Sequence, residues 1–215
     1  AFAAGSHNLA EAAWNQGWMD CEVIETSGID RDEGIHPDGD LAEMKAAFSE
    51  GGQITAGNSS QLSDGAAAVL VSSREAAEAN GWPVLATILD YCTSGVEPAR
   101  VMAAPIPAID SLLGRNELTM DDLAYVEHNE AFAAASCAIA KTCNIPDDKL
   151  NPHGGSVAIG HPLGATGARC LMTLINALRR SGGGKGIVTL CLGGGNAVAM
   201  LVAAYSAHFL TNHLR

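Results

Sequence analysis

The chain has 215 residues, 47% of them apolar and 17% charged, the balance of a globular protein with a buried core and not of a disordered segment. Twelve Lys and Arg stand against 24 Asp and Glu, a formal charge of −12 with no basic run, which argues against nucleic acid as a partner. No stretch reaches the roughly 20 consecutive apolar residues of a membrane helix, so no membrane partner is expected either.

The opening AFAAGSHNLAEAAW lacks the basic start and continuous apolar core of a secretory leader, and lacks an initiating methionine, so it reads as an internal start. The six cysteines contain no C-x-x-C pair and sit in apolar surroundings. That pattern predicts free thiols, most of them buried, in a cytoplasmic or other reducing compartment.

In chain order, apolar residues at helical spacing predict a helix over 6–16, stopped by Gly17, and CEVIE (21–25) predicts a short strand. Residues 26–39 read as loop, 40–48 as helix, and 50–65 as a long turn-rich segment. AAAVLVSS (66–73) has the continuous apolar character of a buried strand, and REAAEANG (74–81) that of a short helix closed by Gly81. Gly81, Trp82 and Pro83 mark a domain seam, dividing the chain into 1–83 and 84–215.

After the seam the pattern predicts strand 84–92, a helix near 107–113, strand 123–128 and helix 130–143. A glycine-rich segment, helix 165–180, strand 186–192, a triple-glycine turn and a last strand over 197–205 complete the series. Alternating apolar strands and amphipathic helices predict a layered α/β fold with the sheet covered on both faces. In such folds, chemistry gathers where strands end.

Three stretches lie at such places. In HNEAF (128–132), Asn129 reads either as a helix N-cap or as an amide that fixes a water or substrate oxygen. In the glycine-rich segment 151–169, His161 stands between Gly160 and Pro162, with Gly154, Gly155, Gly164 and Gly167 nearby. So much bare backbone clears space for an imidazole facing a ligand, although a structural histidine is the plainer reading. In CLGGGN (191–196), Cys191 precedes three glycines, but Val198 occupies the last glycine position of a G-x-G-x-x-G fingerprint, so a dinucleotide site is rejected.

What remains is a Cys, His and Asn set suited to thiol chemistry, with turn N–H groups able to stabilise an oxyanion. No spacing among His128, His153, His161 and Cys191 matches a metal-ligand pattern, so no metal is expected. Ser60 reads as a turn serine, and Phe132 and Met102 as core side chains.

Taken together, TAGNSSQLSDGAAAV, NEAFA, GGSVAIGHPLGATGAR and CLGGGN resemble, in order and spacing, the motifs of the thiolases. These are the acetyl-CoA acetyltransferases and 3-ketoacyl-CoA thiolases. The resemblance implies the thiolase-like layered α-β-α-β-α fold and an acyl-CoA C-acyltransferase that uses coenzyme A thioesters as substrates and needs no cofactor. It implies that His161 activates a nucleophilic cysteine and contributes to an oxyanion hole, and that Asn129 holds a water completing that hole. Cys191 becomes the acid/base thiol, and N–H groups near Gly193 build a second oxyanion hole. Ser60 would meet the pantetheine of CoA, while Phe132 and Met102 would line the acyl and pantetheine tunnel.

The same resemblance implies an incomplete set. Thiolases consist of two similar halves and a loop domain, with the acyl-carrying cysteine in the first half. Residues 1–83 resemble the end of the loop domain and the last elements of that half, and 84–215 a complete C-terminal half. Cys21 lacks the nucleophile's glycine-rich surroundings. The expectation is therefore a second polypeptide that supplies the missing half and its cysteine, within a higher oligomer. Two alternatives stand beside it: a non-catalytic thiolase-like binding or scaffolding subunit, and a thioesterase with Cys191 as nucleophile and His161 as base.

Overall fold

The strands predicted after the seam pair into one mixed sheet. The structure, a computed structural model, describes residues 1–26 and 28–206. Strands β1 (Ala86–Gly95), β2 (Leu123–His128), β3 (Gly183–Leu192) and β4 (Asn196–Tyr205) lie in the order β1-β4-β3-β2. β4 runs antiparallel to both β1 and β3, and β2 runs parallel to β3 with His128 opposite Thr189.

Six helices accompany the strands among the described residues: α1 (Phe2–Asn15), α2 (Arg74–Asn80), α3 (Pro105–Arg115), α4 (Ala133–Thr142), α5 (Ser156–Ile159) and α6 (Thr166–Arg180). Because side chains alternate across a strand, Ile187 of β3 and Ala199 and Leu201 of β4 face α3 and α4, where they pack with Ile109, Leu112 and Ile139. Val188, Leu190, Val202 and Ala204 face the other way onto Cys170, Leu174 and Leu178 of α6. Each fully buried Leu or Ile here contributes about 2 kcal/mol of transfer free energy. The layered α/β expectation thus holds for this part of the chain, with both sheet faces covered.

Upstream of residue 84, several elements differ from expectation. α1 begins at Phe2, not residue 6, and buries Ala3, Ser6, His7, Ala10 and Ala13. CEVIE is turn and coil instead of strand; the Glu22 carboxylate accepts a hydrogen bond from Thr173 Oγ1 on α6 (2.7 Å). Residues 40–48 form turns instead of a helix, because Ala47 N–H donates to Ile54 O (2.7 Å) and Ala46 bridges Thr55, folding the chain back at Gly51 and Gly52.

AAAVLVSS forms no strand and pairs with none among the described residues, leaving Leu70 72% and Val71 66% exposed. α2 forms as expected, with Ser73 Oγ accepting from Ala76 N–H and left-handed Gly81 (φ 66°) ending it. Of the cysteines, Cys92, Cys143 and Cys170 are buried, whereas Cys21 and Cys137 are exposed, contrary to the expectation that most would be core.

Candidate active site

β2 and β3 run side by side in the same direction, so the residues that leave their C-terminal ends meet at one edge of the sheet. Asn129 follows β2 and is tied to β3 by its N–H to Thr189 O (3.1 Å); Cys191 lies two residues further along β3. The N-cap reading of Asn129 fails: α4 begins only at Ala133, and Phe132 is its capping residue. The intervening residues turn back through an Ala131 N–H to Asn129 O bond (2.9 Å), which frees the Asn129 side chain. It is 1% exposed, with Oδ1 accepting from Ser156 Oγ (2.6 Å) and Nδ2 3.2 Å from His161 Nε2.

The glycines around His161 let three backbones approach one another. Gly154 adopts a left-handed φ of +73°, and a Cβ there would strike Ser6 O and Ala10 of α1. A Cβ on Gly155 would enter the Glu130 carboxyl group, and one on Gly160 (φ +89°) would overlap Ser63 Oγ. Glu130 itself is buried and accepts from Ser6 Oγ (2.6 Å), Asn151 Nδ2 (2.8 Å) and Val157 N–H (3.1 Å). Gln61, in the stretch TAGNSSQLSDGAAAV, accepts the His161 N–H at its carbonyl (3.1 Å) and donates Nε2–H to Gly34 O (2.7 Å) and Val157 O (3.0 Å).

The ring of His161 is oriented from behind. Nδ1 lies 2.6 Å from Thr166 Oγ1, and the Thr166 hydroxyl donates to Pro162 O (2.9 Å). With that proton committed, Thr166 accepts from Nδ1–H and Nε2 carries the lone pair. Burial, together with the Arg169 cation, lowers the His161 pKa below 6.5, keeping the ring neutral and basic near neutral pH.

Cys191 lies on the same face of β3 as Thr189 and Ile187. It is half-buried, and its sulfur contacts Met102 Sδ at 3.9 Å. Burial raises its thiol pKa above 9, so it rests protonated. Met102, Phe132, Phe48 and Ile54 line an apolar cavity of about 510 Å³, in which Phe48 meets Phe132 edge-on at 6.1 Å between ring centroids. Ser60 is held beside it by its N–H to Ala131 O (3.0 Å), and Ser59 bridges Phe132.

The structure therefore brings His161 to Asn129, and Met102 to both Cys191 and Phe132. No hydrogen bond joins Cys191 or Gly193 to His161 or Asn129 among the described residues. Gly193 is exposed in the turn, its carbonyl accepting from Asn196 Nδ2 at 3.3 Å. Gly195 is the constrained glycine there, because a Cβ would strike Val96 O. No group of three His, Cys, Asp or Glu is placed to hold a metal ion, and no helix is long and apolar enough to cross a membrane, among the described residues. Sequence reasoning missed Gln61, Ser156, Thr166 and Arg169. The last three sit in the stretch already singled out for His161, where polar residues five positions either side of it, Ser156 and Thr166, were the available signal.

Comparison with known proteins agrees with this geometry. Residues 1–75 match the family model for the thiolase N-terminal domain and residues 82–204 that for the thiolase C-terminal domain. Peroxisomal 3-ketoacyl-CoA thiolase B of Mus musculus is 40% identical over 216 residues, covering 93% of this chain and 51% of that protein. The crystal structure of the Bacillus anthracis acetyl-CoA acetyltransferase superposes with a TM-score of 0.88 at 38% identity, covering 94% of this chain and 54% of that one. Human mitochondrial 3-ketoacyl-CoA thiolase in complex with CoA gives 0.87 at 31% identity, covering 94% and 53%. The chain spans about half the length of the relatives it matches.

Proposed function

The chain belongs to the thiolase family and has its fold, and from that premise we propose that it carries the histidine and the acid/base cysteine of an acyl-CoA C-acyltransferase. The reaction is thiolytic cleavage of a 3-ketoacyl-CoA or the reverse Claisen condensation. The observation that carries this reading is the His161 Nε2 lone pair, set beside the Asn129 amide at the end of the strand pair that bears Cys191.

In cleavage, Nε2 of His161 takes the proton of an acyl-accepting thiol, which attacks the C3 ketone. Backbone N–H near Gly193 donates to the oxyanion on C3, while the protonated Nε2 and a water held by the Asn129 amide donate to the thioester carbonyl oxygen, where charge gathers as the C2–C3 bond breaks. The C2–C3 bond breaks, its electron pair remains on C2, and Cys191 supplies the proton there to release acetyl-CoA. The Cys191 thiolate then removes the proton of incoming CoA, which attacks the bound acyl thioester; the departing thiolate recovers its proton from His161. A raised Cys191 pKa suits this role, because the thiol must hold its proton until a carbanion forms.

The apolar cavity lined by Met102, Phe132 and Phe48 takes the acyl chain and pantetheine arm of the CoA thioester, with Ser60 at its side. The acyl-accepting thiol comes from thiolase sequence outside these 215 residues, on a second polypeptide that completes the first half and a higher oligomer. The boundary between the halves falls at residue 83. A reducing compartment such as the cytoplasm keeps both thiols active.

Intact mass spectrometry under native and denaturing conditions, followed by an acetoacetyl-CoA thiolysis assay on the same sample, tests the proposal. A second chain with an acylatable cysteine and CoA-dependent cleavage is the expected result. The 215-residue chain alone, stable and without cleavage, would favour the scaffolding reading.

A further inference from the structure

A chain of buried polar groups runs behind the Asn129 amide, and none of its rear members has a part in the reaction as written above. Arg169, on α6, divides its guanidinium. Nη1 donates to Glu127 Oε1 (3.0 Å), on a side chain with no exposure, and Nη2 donates to Ser156 Oγ (2.9 Å), which is likewise inaccessible. An arginine can only donate. The Ser156 oxygen therefore accepts, and its one proton is directed to Asn129 Oδ1 at 2.6 Å.

That proton decides which way the amide faces. With Oδ1 held by Ser156, Nδ2 is the atom 3.2 Å from His161 Nε2, which must then be the acceptor. The ring's other nitrogen donates to Thr166, whose proton goes to Pro162 O. Turning the amide over leaves the Ser156 proton without an acceptor in a dry site, and demands an Nε2–H on His161. Nδ1 must then take the Thr166 proton away from Pro162. Only one polarity satisfies every donor along Arg169–Ser156–Asn129–His161–Thr166–Pro162.

We propose that Ser156 and Arg169 are positioning residues, which hold Asn129 with its N–H groups towards the site and lock His161 in the Nδ1–H tautomer. The effect on rate rests on the thiolase reading; the tautomer follows from the geometry alone. Arg169 faces Glu22, Glu127 and Glu130, so removing it disturbs folding as well as positioning. Ser156 is the place to cut the chain.

The test is a double-mutant cycle in the complete enzyme, read by thiolysis kinetics and by nitrogen NMR of 15N-histidine. Ser156→Ala should lower kcat about tenfold with KM for the 3-ketoacyl-CoA nearly unchanged, and should convert the His161 signals from the pure Nδ1–H form to a mixture of tautomers. Ser156→Thr, which keeps the hydroxyl, should restore both. In an Asn129→Ala background the Ser156 substitution should cost nothing further, since its action passes through that amide. An equal loss in both backgrounds, or an Nε2–H tautomer in the unsubstituted protein, would overturn the proposal. The expected tautomer behaviour in a protein without thiolysis would uphold it and remove the thiolase reading instead.

Discussion

The two sides of the site are built in opposite ways. On the inner side, His161 and Asn129 are gripped from behind by Thr166 and Ser156, with the His161 backbone tied to Gln61 and the Asn129 backbone to Thr189. On the rim, Cys191 has a thioether neighbour, Met102, and is followed by a turn in which Gly193 and Gly194 are exposed. The contrast matches the chemistry proposed for each. An imidazole that serves as base and then as oxyanion donor needs one tautomer and one orientation. A thiol that takes a proton from one carbon or sulfur and gives it to another needs reach and a half-apolar setting that keeps it protonated at rest.

His161→Ala strikes the gripped side directly. It should lower both half-reactions, acylation and deacylation, by about 10³-fold or more, as stopped-flow assays of each step would record. Cys191→Ala should separate the two sides. The acylated enzyme should still accumulate on incubation with an acyl-CoA, detectable by intact mass, while cleavage of acetoacetyl-CoA falls by about 10²-fold or more. Equal loss of acylation in both variants would erase the division of roles.

A smaller effect is expected on stability when the close approach behind His161 is disturbed. Gly155→Ala places a Cβ into the Glu130 carboxyl group and should cost about 2–3 kcal/mol in denaturant unfolding. The same addition at Gly193, where a Cβ meets nothing within 4 Å, should cost well under 1 kcal/mol.

The smallest effect concerns pH. Burial pushes Glu127 up to about 8 despite Arg169, whereas it pushes His128 and His153 down to about 4. Between pH 6.5 and about 8 the folded Glu127 keeps a proton that the unfolded chain has lost, so stability falls as pH rises, by at most about 1.4 kcal/mol per unit. Below pH 6.5 the unfolded chain protonates both histidines before the folded one does, so they oppose folding increasingly as pH falls towards 4. Glu127→Gln should flatten the decline above pH 6.5 and steepen the loss of stability between pH 6.5 and 4.5, where the proton held by folded Glu127 offsets part of the histidines' effect, as unfolding curves across this range would show.

How far the chain was legible depended on where each segment finds its partners. Strands β1 to β4 and helices α3, α4 and α6 lie within a few residues of expectation, because Ile187, Leu201, Leu174 and their neighbours meet one another within the same stretch of chain. CEVIE and residues 40–48 were misread because long-range contacts, Glu22 to Thr173 and Ala47 to Ile54, outweigh local propensity. AAAVLVSS has the composition of a buried strand and lies unpaired. The site motifs were legible as places, since bare glycine around a histidine is unusual. The hydrogen-bond chain through them was not, because Ser156, Thr166 and Arg169 are ordinary residues until folding aims them.

The sequence by itself determined that a β-strand would end at Asn129, that another would deliver Cys191 to a glycine turn, and that His161 would sit in backbone bare enough for close approach. These follow from apolar periodicity and the φ freedom of glycine, which act over a few residues. Only the tertiary structure decided that the Asn129 amide faces His161 and is not a helix cap, and that Arg169 and Ser156 stand behind it. Those facts depend on the direction of a hydroxyl proton between residues 27 positions apart in the chain. Such a direction is set by burial and by the donors around it, not by the residues' order in the chain.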